Sequence, residues 1–438
     1  MILRSLNYPP LDVATAGRII FWLTLCLLIS CRTPEAPPAP TPGEPTIGRL
    51  AYIGGDGNVY VTTTADFQNK IALTTDAEVS AELPGFSYHR LAWSWDGWLA
   101  FAAVQRTGES AQSKLYVLRS LDSQPQLVAE SAEHFVIYNF WSPVPCPQEP
   151  ACRQLAYLIE ESDDIALRLV TIRGEQVVNE RIGSGWPFYY SWSADGRSLI
   201  WHTGLAPAEP PAALTQYDVT SAQGERLSLT PGPFMAPAWS PTGSGWVGVT
   251  ADGNTNRLQY FNQDGVETIT ADTGSTVTFA WSPNGRQLAY MIRARENDPF
   301  YGAIHLYDLE TGEIRRVTDV GLRYLAFFWS PDGSKLGYLT WVPVGADEFM
   351  QWRVYELGTN VDAGFKLFHP APLMRFAVAS FNQYAQSHRY WSGDGRYLVY
   401  TTRDGGNQDR IWVIDTWDKE DNEPIFIDEG SIAYWSFE

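Results

Sequence analysis

The chain has 438 residues, of which 14% are aromatic, and it contains 18 Trp, 36 Gly and 29 Pro. This composition favours an all-β protein with many turns over a helical one. The formal net charge of −19 argues against nucleic acid as a partner.

The first thirty residues are typical of an export signal. Arg4 and Arg18 precede an apolar run at 19–29 that is too short to span a bilayer comfortably. The run ends in Leu-Ile-Ser followed by Cys31, a sequence that resembles the bacterial lipobox, in which the cysteine left by cleavage receives a lipid. An ordinary signal anchor with a chance cysteine is the alternative. We expect residues 1–30 to be a lipoprotein signal peptide and Cys31 to be lipidated, which anchors the exported protein to the outer face of the cytoplasmic membrane or to the outer membrane.

Residues 31–46 are rich in proline and cannot form a hydrophobic core. Such a segment favours extended polyproline conformations, so we expect a tether between the lipid and the folded part. A proline-rich ligand for another domain is the alternative. Without residues 1–30 the chain has 29 basic and 49 acidic residues, a net charge of −20. This acidity keeps an exported protein soluble and permits cationic ligands without indicating one.

Two further cysteines, Cys146 and Cys152, flank a proline-containing segment that replaces one of the expected tight turns. In an oxidising compartment, two close cysteines predict a disulfide that holds the loop. A metal site is the weaker alternative, because the neighbouring sequence does not offer two further ligands.

A Trp-Ser pair recurs along the chain, each time followed by a turn and a short apolar segment. Successive tryptophans are 48, 51, 47, 42, 48, 62 and 44 residues apart, which is the period of a four-stranded propeller blade. In Ser330–Gly333, Pro presets the φ angle of the second position and Gly tolerates a positive φ, so the turn closes a tight hairpin. The tryptophans of these pairs are Trp93, Trp141, Trp192, Trp239, Trp281, Trp329, Trp391 and Trp435.

Each repeat supplies four strands. In the repeat of Trp281, two strands flank the Trp-Ser turn, and the third and fourth lie within 304–318. Segment 49–53 has the pattern of a second strand without a first, whereas segment 432–436 is a first strand with nothing after it. We therefore predict that residues 47–438 form an eight-bladed β-propeller of four-stranded antiparallel sheets, with one blade shared by the two ends.

The repeat resembles the WD-like repeat of TolB-type propellers, whose signature is an apolar strand, Trp-Ser-Pro-Asp-Gly and a second apolar strand. The fullest forms are Trp281–Gly285 and Trp329–Gly333, and the resemblance covers nearly all of residues 47–438. TolB itself has a further N-terminal α/β domain and fewer blades, which this sequence does not match. The predicted blade count also resembles the propeller of prolyl-oligopeptidase-type exopeptidases, but we expect no hydrolase domain, because the Gly-x-Ser-x-Gly motif is absent.

Residues able to carry out chemistry are sparse in the sequence. The six histidines lie in different repeats, and no two have the spacing of metal ligands. A site at the propeller axis is the alternative, because an axis gathers residues from several blades. The acidic loops do not match a full calcium loop and are better interpreted as hairpin turns. We predict no catalytic residue, no metal and no cofactor.

The long connections of the predicted ring fall on one rim. They join second to third or fourth to first strands and include 76–90, 202–213, 293–303, 341–351 and 369–389. Loops of this kind carry recognition, and aromatic and Arg residues anchor interfaces. The predicted binding residues are Tyr88, His89, Arg90, Phe188, Tyr189, Phe300, Tyr301, Arg323, Phe376, Tyr384, His388 and Arg389.

These features predict a membrane-anchored propeller that binds or scaffolds an envelope protein, a peptide or a glycan of unknown identity. We expect a monomer that contacts the membrane through its lipid and does not bind nucleic acid. The alternative is a propeller enzyme, a polysaccharide lyase or hydrolase or a peptidase-like protein, with its site at the axis.

Overall fold

The computed structural model describes most of the chain from residue 47 onward. The chain divides into two compact units, Met1–Pro45 and Thr46–Glu438. The predicted signal peptide, the lipidated Cys31 and the tether lie outside the described residues. The described residues are 47–79, 85–107, 110–147, 149–161, 164–205, 211–274, 276–293, 298–403, 405, 408–418 and 423–438.

Strands dominate the described part of the chain, with two short helices near its C-terminal end. The first fifteen strands are β1 Arg49–Gly54, β2 Val59–Thr63, β3 Asp66–Ala72, β4 Phe86–Trp93, β5 Leu99–Thr107, β6 Ser110–Leu118, β7 Gln126–Ser131, β8 Val136–Trp141, β9 Cys152–Glu161, β10 Asp164–Arg173, β11 Gln176–Gly185, β12 Phe188–Trp192, β13 Ser198–Thr203, β14 Ala213–Asp218 and β15 Gln223–Arg226. The remaining elements are β16 Ala238–Trp239, β17 Gly245–Asp252, β18 Thr255–Asn262, β19 Gly265–Thr270, β20 Val277–Trp281, β21 Gln287–Ile292, β22 His305–Asp308, β23 Ile314–Arg316, β24 Arg323–Trp329, β25 Lys335–Val344, β26 Asp347–Glu356, β27 Val361–Phe368, α1 Pro372–Ala379, α2 Phe381–Tyr384, β28 Tyr397–Arg403, β29 Asp409–Asp415 and β30 Ile425–Trp435. Neither described helix has the length and apolar character needed to cross a membrane.

The described strands form seven antiparallel sheets, which are the blades of a propeller. Six blades have four strands that follow one another in the chain: β4–β7, β8–β11, β12–β15, β16–β19, β20–β23 and β24–β27. The seventh has six strands in the order β28-β29-β30-β1-β2-β3. The predicted eight-bladed arrangement is therefore wrong.

The error comes from β30. Its first half pairs with β29 and its second half pairs with β1, without a break in the strand. The prediction assigned a separate blade to every Trp-Ser pair, but the pairs at Trp391 and Trp435 belong to one sheet. Gly430 lies at the junction, where an added Cβ would meet the Ile53 carbonyl oxygen at 2.3 Å. Only glycine allows the two backbones to approach so closely.

The recurring tryptophan links neighbouring repeats. The indole N–H can donate a hydrogen bond, but the ring cannot accept one. The Nε1 of Trp281 donates to the Ala238 carbonyl at 3.0 Å. In five other repeats an equivalent bond reaches the residue that precedes the previous tryptophan, whereas the Nε1 atoms of Trp239 and Trp435 have no partner among the described residues. The five bonds run from Trp93 to Tyr434, Trp141 to Ala92, Trp192 to Phe140, Trp329 to Ala280 and Trp391 to Phe328.

The serine that follows the tryptophan organises the turn. Ser282 Oγ donates to Asn284 Oδ1 at 2.8 Å and accepts from the Gln287 amide at 2.9 Å. The Gly285 amide donates to the Ser282 carbonyl at 2.8 Å, and Gly285 has a φ of 67°. The motif Trp-Ser-x-Asp/Asn-Gly thus closes the hairpin through side-chain bonds to its own backbone.

Several connections differ from the predicted ones. Segment 341–351 is a hairpin rather than a loop, because β25 and β26 continue to a turn at Gly345. Segment 369–389 contains both helices. The first strand at Trp239 has two residues, since the preceding Pro237 has no N–H to donate. At Trp391 an isolated bridge to Leu398 replaces a first strand.

The predicted disulfide is confirmed. Cys146 and Cys152 are bonded, with their Cα atoms 5.2 Å apart. The bond closes the connection from β8 to β9, where the Cys146 amide also donates to the Cys152 carbonyl at 3.2 Å.

Candidate functional site

Strands alternate in direction within each blade, so the connections from second to third strands and the starts of first strands lie on one rim, which we call the upper rim. A cavity of about 620 Å³ opens there, and we call it the rim cavity. It lies between the start of β4, the β1–β2 turn, the centre of β30, the end of β28 and α1. Its volume falls within the range of about 300–1,000 Å³ that is usual for ligand cavities.

Three predicted binding residues, Tyr88, His89 and Arg90, line the rim cavity together. Tyr88 is buried, and its hydroxyl donates to Asp76 at 2.7 Å. Burial and this carboxylate raise the pKa of Tyr88, so its hydroxyl stays protonated. Tyr88 therefore lines the cavity as a neutral side chain.

Arg90 has an unusual backbone. Its φ is 59°, in the left-handed region that residues with a Cβ seldom adopt. The irregularity lies in a bulge of β4 between His89 and Ala92, and the Asn139 amide group donates to the Arg90 carbonyl at 2.8 Å. Within the described part of the chain, the buried Nε of Arg90 has no hydrogen-bond partner and the side chain takes part in no ion pair.

The remaining charges of the cavity differ from Arg90. Arg403 forms a two-point ion pair with Asp409, at 2.6 and 3.1 Å, and Glu429 is exposed at the opening. Arg403 therefore has a carboxylate partner and Glu429 is solvated, whereas Arg90, which is only partly exposed, forms no ion pair among the described residues.

His388 and Arg389, also predicted, are not among the residues that line the cavity. The His388 ring packs against Tyr434 with centroids 4.4 Å apart. Burial and the charge of Arg90 lower the pKa of His388 to about 3, so the imidazole is neutral at pH 7. Arg389 lies over the Phe437 ring at 3.9 Å, and burial lowers its pKa to about 10.

A row of arginines and aromatic rings forms a second feature of the upper rim. Arg323 lies over Phe300 at 5.2 Å, the Phe300 and Trp341 rings are 5.8 Å apart, and Arg375 lies over Trp341 at 5.6 Å. We call these four residues the arginine–aromatic row. The prediction named Phe300 and Arg323. It missed Trp341 and Arg375, although both fall in connections that it had selected for their length.

The helix α1 joins the two features. Leu373 lines the rim cavity, Arg375 belongs to the arginine–aromatic row, and Phe376 is 49% exposed between them. Met374 and Val378 are buried on the opposite face of the helix and hold it on the ring. Pro372 at the first helical position is suited to starting such a helix.

The other predicted residues are less available to a partner. Phe188 and Tyr301 are buried, with 1% and 7% of their surface exposed. Both pack beneath the rim, and Tyr301 lies under Arg293 at 4.9 Å. Tyr189 is half-buried against Phe234, with ring centroids 4.4 Å apart. The Tyr384 side chain lies outside the described residues.

Metal-ligating side chains do not cluster in the part of the chain that the structure describes. No three His, Cys, Asp or Glu residues there converge closely enough to hold a metal ion. The site on the upper rim therefore consists of a charged cavity, a helix and a cationic aromatic surface.

The comparison with curated proteins found TolB of Alcanivorax borkumensis, a Tol-Pal system protein, which is 34% identical over 87 residues. This segment is 19% of the present chain and 19% of that TolB, so the chain matches about a fifth of its relative's length. The repeat is TolB-like. No family model matches the chain.

The TolB-like propeller is also similar to solved structures. TolB from Acinetobacter baumannii is 16% identical, with 76% of this chain and 81% of that chain covered and a TM-score of 0.41. A prolyl endopeptidase structure is 10% identical, with 80% of this chain and 50% of that chain covered and a TM-score of 0.51. At these identities the similarity concerns the fold alone.

Proposed function

We propose that the protein is a binding or scaffolding module of the cell envelope that holds a protein or peptide partner on its upper rim. The TolB-like repeat supports an envelope location, because the curated relative is a Tol-Pal system protein. The observation that carries the proposal is the continuity of the upper rim: α1 joins the rim cavity to the arginine–aromatic row through Leu373 and Arg375.

The arginine–aromatic row has the character of an interface. Arg323 and Arg375 are exposed, and no ion pair among the described residues includes either of them. Each guanidinium lies over a ring, which limits its conformational freedom before a partner binds. On a chain of net charge −19 this surface is locally cationic, so it favours a partner with acidic or carbonyl groups.

We further propose that the lipid on Cys31 anchors the module. The Pro-rich segment 31–46 would then separate the propeller from the membrane by up to about 50 Å, at roughly 3 Å per residue. Such a spacing allows the upper rim to reach partners within the envelope. The disulfide between Cys146 and Cys152 supports an oxidising compartment outside the cytoplasm.

Replacing both Arg323 and Arg375 by Ala tests the function. Chemical cross-linking in the native envelope should capture a partner with the wild type and lose it with this double variant. The matched control is the double variant Arg197→Ala and Arg286→Ala. These exposed arginines lie on the opposite rim, and replacing them removes the same amount of positive charge. Equal capture by both double variants, at unchanged melting temperature, would reject the upper rim as the interface.

A further inference from the structure

The rim cavity contains one cation that its surroundings do not neutralise. Of the charged residues that line it, Arg403 is paired with Asp409 and Glu429 is exposed at the opening. The Nε of Arg90 is buried and has no hydrogen-bond partner in the described part of the chain. A buried donor without an acceptor is costly, and an anion bound to this guanidinium would offset part of that cost.

The backbone of Arg90 gives independent support. A residue with a Cβ is strained at a φ of 59°, and the Asn139 side chain fixes this conformation by its bond to the Arg90 carbonyl. Strain of this kind is concentrated at binding sites, where it aims a side chain. Glycine or asparagine would relieve it, so an arginine at this position is not explained by the fold.

The walls of the cavity indicate the kind of acceptor. Apolar side chains of Ile53, Val104, Phe135, Leu373 and Ile432 surround the charged groups. An ion pair formed against such walls is screened less than one in water. A carboxylate on a short apolar body fits this combination of a guanidinium and apolar walls.

We propose that the rim cavity binds a carboxylate of a peptide, with the Arg90 guanidinium as its cationic partner. The inference rests on the proposed function, since it names the group that the envelope partner would insert. The carboxylate can belong to an acidic side chain or to a chain terminus.

Four small molecules serve as probes, and each is titrated against the full-length protein in detergent. N-acetyl-glutamate amide carries a side-chain carboxylate, N-acetyl-leucine carries a terminal one, and N-acetyl-glutamine amide and N-acetyl-leucine amide are their neutral counterparts. Titration followed by ligand-observed NMR should show that a carboxylate improves binding about tenfold, the ratio that corresponds to 1.4 kcal/mol. The more strongly bound acid identifies the source of the carboxylate.

Arg90→Asn removes the charge with a residue that tolerates the left-handed backbone. It should lower acid binding to the level of the neutral probes without reducing the melting temperature, whereas Arg90→Lys should retain part of the binding. Arg286→Asn, on the opposite rim, should bind as the wild type does. Equal binding of acids and amides, or unchanged binding by Arg90→Asn, would overturn the inference, as would tighter binding of glucuronate or inorganic phosphate. If the carboxylate probes did not bind better than the amides but the wild type still captured its partner, the inference would fail and the proposed function would not.

Discussion

The indole hydrogen bond between repeats should contribute measurably to stability, and a second tryptophan that lacks this bond provides the control. Trp281 and Trp239 are both half-buried and both follow an alanine. Trp281 Nε1 donates to the Ala238 carbonyl at 3.0 Å, whereas Trp239 Nε1 is buried with no hydrogen-bond partner among the described residues. Replacement of either by Phe removes a similar apolar area, so the difference between the two variants isolates the hydrogen bond.

The expected magnitude follows from what Trp281→Phe leaves behind. Ala238 is 1% exposed, so its carbonyl cannot recover the bond from bulk water. The carbonyl keeps its ladder bond opposite Val247, so loss of the indole bond costs about 0.5–1.5 kcal/mol. Trp239→Phe loses no such bond and removes a donor that is already unsatisfied. We therefore expect Trp281→Phe to be less stable than Trp239→Phe by about 1 kcal/mol.

Thermal unfolding monitored by far-UV circular dichroism measures this difference. For a domain of nearly 400 residues, about 1 kcal/mol corresponds to a difference in Tm of roughly 1 °C. Urea unfolding should show the same order of stability, with equal m-values for the two variants. Equal stability of the variants, or a lower Tm for Trp239→Phe, would refute the role assigned to the indole bond.

Two further predictions concern the ends of the chain. Cys31→Ala should give unprocessed precursor and no palmitate label, and a labelled Cys31→Ala protein would contradict lipidation at this residue. Deletion of Tyr434–Glu438 removes residues of β30 that pair with Leu50 and Ala51 of β1, so the exposed strand edge should promote aggregation, measured by light scattering. If the truncated and the intact protein had the same melting temperature, this pairing would not be what holds the ring closed.

The repeat and its turn could be predicted because their causes are local. Trp-Ser-x-Asp/Asn-Gly specifies a hairpin through bonds within a few residues, as between Ser282 and Gln287. The blade count could not be predicted in the same way. Asp428-Glu429-Gly430 has the composition of a turn between blades, yet these residues belong to β30, where Gly430 lies against the Ile53 carbonyl. That contact joins residues almost 400 positions apart.

The candidate site was predicted in part for the same reason. Tyr88, His89 and Arg90 are consecutive, so the single connection 76–90 selected all three, although the structure places them in β4 rather than in a loop. The partners of Phe300 are distant in sequence: Trp341 depends on the length of a hairpin and Arg375 on a helix. Phe188 shows the opposite error, since an aromatic residue at a strand start proved to be core.

Site-specific photo-cross-linking in living cells tests the central claim, that partners bind on the upper rim. A photoreactive amino acid would replace Phe376, 49% exposed on α1, and separately Trp417, 58% exposed on the opposite rim. The two positions are similarly exposed aromatic residues and differ in the rim they occupy. The account predicts a cross-linked envelope partner from position 376 and none from position 417. Cross-links to the same partner from position 417 alone would contradict it.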